Sequence, residues 1–151
     1  MSVGRTVWLS LAFALAPTAL LASSDIDTAR TAGLLGHWAV DCAGPVSGSN
    51  PNLYFTALDD GTIQYRLVVA TDGPPIVPST LSEVTDLGGG LLHSKYVRNS
   101  DGNVTLVTNK FSDGRMWSLN AESPDGDVHI KDGAFTSSGS PVPHFEKCGG
   151  E

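Results

Sequence analysis

Four histidines, two cysteines and a scatter of carboxylates are the residues of this 151-residue chain whose types could do chemistry, and their spacing limits what they can do. His37, His93, His129 and His144 stand alone, none of them two to five positions from another, so no closely spaced zinc pair can be read from them. Asp125, Asp127 and Asp132 gather around two glycines. Position 129 is His where a calcium loop needs an oxygen donor, however, and two ordinary turns account for the three acids. Glu83 alternates with Leu81 and Thr85. On an apolar strand face inside a cavity its carboxyl would be raised and could act as a general acid, whereas at a sheet edge it would face solvent. Asn103-Val104-Thr105 fits the N-glycosylation sequon, which matters only in a eukaryotic secretory pathway. No Gly-x-Ser-x-Gly elbow, phosphate-binding loop, dinucleotide fingerprint or His-Glu-x-x-His pair occurs. The sequence therefore offers no catalytic residue, no metal set and no cofactor.

The two cysteines make structural sense once the start of the chain is considered. Arg5, the apolar run from Val7 to Ala16 and the small residues from Pro17 to Ser24 read as a signal peptide over 1–24, with cleavage expected after Ser24. The run is interrupted by Pro17 and too short for a stable membrane anchor. The chain is thus expected to be exported, periplasmic or secreted, leaving one domain over 25–151. In that oxidising setting Cys42 and Cys148 are expected to pair as a disulfide. The net charge of −7, made one unit more negative by losing Arg5, and the absence of any basic cluster argue against nucleic acid and anionic membranes as partners.

Six Asp-Gly pairs, ending at Gly61, Gly73, Gly102, Gly114, Gly126 and Gly133, show how those residues must be carried. Asp-Gly is favoured in tight hairpin turns, because Gly takes positive φ without a Cβ clash. Between these turns the hydrophobic period is two. Trp38, Val40 and Cys42 alternate in a first strand, and Leu53, Phe55 and Ala57 share a face of a second. Ile63, Tyr65, Leu67 and Val69 mark the clearest strand, within Thr62 to Ala70. Leu81 to Leu87 and Leu91 to Arg98 form a hairpin across three glycines. Asn103 to Phe111, Met116 to Ala121, Val128 to Lys131 and Ala134 to Thr136 follow. The segment 71–79 carries three prolines and is expected to be irregular, and 25–34 is expected to form one or two helical turns capped by Ser24 or Asp25. The fold class is all-β: an antiparallel meander of about eight strands, closed or nearly closed into an up-and-down barrel, with a short N-terminal helical turn.

Gly36-His37-Trp38, entering the first strand after a short helical segment, resembles the Gly-x-Trp opening of lipocalins and other calycins. The resemblance implies a barrel whose closed end is plugged by Trp38 in a structural role. The chain departs from that pattern in lacking a C-terminal helix after the barrel, and its cysteine pairing is not the usual one.

Two features then bear on function. One is the barrel interior, with Phe55, Ile63, Tyr65, Leu67, Trp117 and Leu119 as candidate lining; it is either filled by side chains or holds one small apolar ligand. The other is the segment Pro74, Pro75, Ile76, Val77 and Pro78, which sets two apolar side chains on a stiff backbone. It could cap the barrel mouth or engage an extracytoplasmic protein partner. The expected function is accordingly non-catalytic binding of a small apolar ligand, with an interaction or inhibitor module as the alternative.

Overall fold

The computed structural model describes residues 24–150. Apart from Ser24, the expected leader lies outside the described residues. Helix α1 (Asp25–Thr31) is followed by β1 (Gly36–Ala39), β2 (Asn52–Ala57), β3 (Ile63–Val68), β4 (Ile76–Gly88), β5 (Leu91–Arg98), β6 (Val104–Ser112), β7 (Arg115–Glu122), β8 (Val128–Lys131), β9 (Ala134–Phe135) and β10 (Phe145–Gly149).

Each strand from β1 to β9 pairs antiparallel with the next, and β10 pairs with both β1 and β7. β1 to β7 and β10 therefore close into an eight-stranded antiparallel barrel, and closure leaves none of these strands as a free edge. The β8–β9 hairpin continues from the far end of β7, which pairs with β10 at Met116 and with β8 at Ala121 and Glu122. Cys42 and Cys148 are bonded, with Cα atoms 5.3 Å apart, so the loop after β1 is held to the strand that completes the ring.

The turns follow from the Asp-Gly pairs. Asp113 and Gly114 both take positive φ, +52° and +74°, the two central residues of a type I′ turn between β6 and β7. Gly61 sits at +86° between β2 and β3.

Strand polarity gives the barrel two unlike ends. Ala57, Ile63, Gly88, Leu91, Ser112 and Arg115 gather at one end, and helix α1 lies over it. Ser24 caps that helix by accepting from the Asp27 amide. The Asp25 carboxylate accepts from the amides of Glu83 and Val84, both at 2.9 Å, clamping α1 to a bulge in β4. Leu34 and Leu35 are fully buried beneath it, together with Trp38. The Trp38 indole donates to the Leu34 carbonyl at 2.8 Å and meets the Phe111 ring edge-on at 5.9 Å. This end is packed shut, and Ile63 belongs to it, wholly buried beside Leu81 and Val84.

Two local expectations are corrected, and one open alternative is decided. The first strand stops at Ala39 instead of running to Cys42, and Val40 is exposed. The segment 71–79 is not all irregular: Ile76 pairs with Leu67 and Ser79 with Tyr65, so residues 76–79 open β4. Pro78 is tolerated because it lies in the register break between those pairs, where no ladder donor is needed, and its carbonyl accepts from the Asn99 amide at 2.9 Å. Glu83 takes φ +54° in the β4 bulge, which turns its exposed carboxylate outward to Lys95 at 2.8 Å. It is no cavity acid.

Candidate functional site

The open half of the barrel encloses space. A cavity of about 180 Å³ lies between the inward faces of β2 to β7 and β10. Its apolar wall includes Leu53, Phe55, Val107, Met116, Ala121 and Phe145; Ser79, Tyr96, Thr105, Asn109 and Ser118 add polar atoms. A second cavity of about 370 Å³ shares Leu53, Tyr65, Ser118, Ile130 and Phe145 with the first. It leads outward past Leu67, Val69, Phe135 and Val142, forming the mouth.

Alternation in the strands explains the lining. On β5 the inward series is Leu92, Ser94 and Tyr96, and on β6 it is Thr105, Val107, Asn109 and Phe111, matched by the pairings Ser94 with Val107 and Leu92 with Asn109. The bulky members, Leu92 and Phe111, lie toward the closed end, whereas Thr105 and Ser118 leave volume unfilled nearer the mouth.

A hydrogen-bonded row crosses the cavity wall. The Ser118 hydroxyl donates to Asn109 Oδ1 at 3.1 Å, and Asn109 Nδ2 donates to the Tyr96 hydroxyl at 3.3 Å. The Tyr96 ring stands edge-on to Tyr65 at 5.3 Å, and Tyr65 is tilted against Phe55 at 5.3 Å. Burial pushes the Tyr65 phenol up to about 12. It pushes Tyr96 up as well, aided by Tyr65 beside it and opposed by the Asn109 hydrogen bond. Both phenols are therefore neutral hydrogen-bond donors over the whole physiological range. Among the described residues, neither cavity is lined by any Asp, Glu, Lys, Arg or His.

Of the candidate lining residues, Phe55 and Tyr65 line the interior cavity and Leu67 lines the mouth, while Ile63 is buried in the closed end. Trp117 and Leu119 do not point inward. Met116 and Ser118 face the interior across from Phe111 and Asn109, which sends Trp117 to the outer face opposite Lys110. Trp117 borders the cavity, but its ring stacks on His144 at 4.3 Å and packs against the Asp132-Gly133 turn. A bulge opposite Thr108 and Asn109 then absorbs Leu119 and restores Ala121 to the interior. Large apolar residues occur on the outer face here because the β8–β9 hairpin and the segment before β10 cover it.

Tyr96, Asn109 and Ser118 escape a reading of the sequence because polar residues at every second position of a strand ordinarily mark a solvent face. The usable signal is their register with Leu92 and Phe111. In the segment Pro74 to Pro78, Ile76 and Val77 are exposed, and Val77 both borders the interior cavity and takes φ +52°. A β-branched residue in that region is strained by about 1–3 kcal/mol.

The histidines remain apart. His37 pairs with the Asn52 side chain, His93 with Thr108 and His129 with Ser123. Among the described residues no three His, Cys, Asp or Glu side chains are grouped to hold a metal ion. No helix among them is long and apolar enough to cross a membrane. No family model, curated protein or solved structure matches the chain.

Proposed function

We propose that this protein is an exported, lipocalin-like β-barrel that binds a small, largely apolar ligand in the open half of its interior. One observation carries the reading: the interior cavity is continuous with a mouth, and both are walled mainly by apolar side chains with a few converging polar groups. That composition is typical of small-molecule sites. Trp38, buried at the opposite end under α1, supports the comparison with lipocalins. Export is supported by the Arg5 to Ser24 leader and by the disulfide. The intact mass of the exported protein checks this: a chain starting at Asp25 is expected, and one that retains residues 1–24 rejects it.

The binding test uses N-phenyl-1-naphthylamine, a neutral, largely apolar fluorophore. Saturable fluorescence with a micromolar midpoint, about −8 kcal/mol, is expected. Ala121→Leu, which puts three more carbons into the cavity wall, should weaken binding about tenfold or more. Linear signal, or unchanged binding in Ala121→Leu, rejects interior binding. Exposure of Ile76 and Val77 favours a second reading, a protein-interaction module presenting the Pro74 to Pro78 segment. Under that reading Ile76→Ser with Val77→Ser abolishes partner capture, and the fluorophore does not bind.

A further inference from the structure

The interior cavity carries more chemical information than its size, and the ligand class it selects rests on the interior-binding reading. The row Ser118–Asn109–Tyr96 holds two hydroxyl hydrogens but a single carbonyl oxygen, that of the Asn109 amide, which takes one of them. In the arrangement described, Ser118 donates to that oxygen and the Tyr96 hydroxyl accepts from the amide nitrogen, leaving the Tyr96 hydrogen unspent. Were the amide turned over, Tyr96 would donate to the oxygen and the Ser118 hydrogen would be the one left. Either way one hydroxyl hydrogen on the cavity wall has no acceptor within the row. Tyr65 faces the same space, and its neutral phenol brings a second hydroxyl to it. Donors that face the cavity in this way are matched by an occupant that brings an acceptor.

Charge narrows the class further. Among the described residues both cavities are lined without a single carboxylate, Lys, Arg or His, and the two phenols stay protonated. A carboxylate or ammonium drawn to the Tyr96 row would be desolvated with no opposite charge to meet it, a penalty larger than the hydrogen bonds offset. Size sets the last limit. The interior cavity is slightly larger than an engineered cavity of about 150 Å³ that takes up benzene, so one ring or a short chain fills it.

We infer that the interior selects a small uncharged molecule with an apolar body and one hydrogen-bond acceptor, such as a ketone, ester or lactone carbonyl, whose oxygen is received by the Tyr96–Asn109–Ser118 row. The apolar body lies against Phe55, Val107, Met116 and Ala121. This class excludes free fatty acids bound carboxylate-first and cationic amphiphiles.

The test compares three probes with the same number of non-hydrogen atoms: acetophenone, its hydrocarbon counterpart cumene, and benzoate. Each is titrated calorimetrically into the disulfide-bonded mature protein at neutral pH. Acetophenone is expected to bind about tenfold more tightly than cumene, the contribution of roughly one hydrogen bond, and benzoate more weakly than either. Tyr96→Phe and Ser118→Ala are each read through the ratio of the two neutral affinities, which should fall from about ten toward one in the variant that removes the free hydroxyl. Equal affinities for acetophenone and cumene in the native protein overturn the acceptor, and a ratio unchanged in both variants overturns the role of this row. Benzoate binding tightest overturns neutrality. If none of the three binds, interior binding itself fails, whatever the ligand class.

Discussion

The closed and open halves of this barrel are built from the same strands with the same alternation, yet one is solid and the other hollow. At the closed half, inward positions carry Trp38, Ile63, Leu81, Leu92 and Phe111, and α1 with Leu34 and Leu35 completes the packing. At the open half the same strands present Ser79, Thr105, Ser118 and Ala121, and no helix among the described residues covers them. An eight-stranded barrel is just wide enough for its own side chains to fill it. Whether it holds a ligand therefore depends on side-chain volume at a few inward positions, not on the sheet.

The contrast is broken most directly by Trp38→Ala, which should cost about 3–5 kcal/mol because the surrounding helix and strands cannot collapse into the void. Tyr96→Phe, on the hollow side, should cost under about 1 kcal/mol, since it removes one weakly engaged hydroxyl. Urea unfolding of both variants checks the pair, and equal losses would mean that the open half is packed as tightly as the closed one.

Replacing Cys42 and Cys148 with Ser together should cost about 2–5 kcal/mol by freeing a loop with 106 residues of sequence separation in the unfolded chain. Guanidinium midpoints with and without reductant measure it: reductant should destabilise the native protein and leave the double variant unmoved.

Alkaline pH separates the halves by their tyrosines. Tyr65 is raised from 10.0 to about 12 in the folded protein, so its neutral form contributes stability that is fully present below pH 10 and lost as pH climbs toward 12. Tyr96 is raised in the same direction and adds to the loss. Stability should fall by about 1.4 kcal/mol per pH unit for each tyrosine in that window. Melting temperatures of Tyr65→Phe across pH 9 to 12 should show a shallower fall than the native protein; parallel curves would place this phenol in water.

The remaining effect belongs to the turns. Gly114→Val should cost about 1–2 kcal/mol from backbone strain alone, because φ is +74° and nothing lies within 4 Å of the added Cβ. A denaturant midpoint identical to that of the native protein would contradict the type I′ turn.

The turns, the strand sequence and the staple are legible in the sequence because each is local: Asp-Gly pairs, period-two alternation and two lone cysteines have few other readings. The site is less legible. Phe55, Tyr65 and Leu67 can be identified because β2 and β3 run without a bulge between Asn52 and Tyr65. Trp117 and Leu119 read onto the wrong face because hydrophobicity alone cannot tell a core from a second layer, and here the β8–β9 hairpin supplies one. The bulges at Glu83 and Leu119 reverse alternation without a Gly or Pro to announce them. Asn109 and Ser118 look solvent-facing until the ring is closed around them.

The most direct measurement is an isotope-edited NOE spectrum of the methyl-labelled protein with N-phenyl-1-naphthylamine at saturation. Binding in the hollow half predicts contacts from probe protons to the methyls of Met116, Ala121 and Val107, and none to Leu34 or Leu35. Contacts confined to the exposed Val40, Ile76 or Val128, or no contacts at all, would contradict a ligand-binding interior.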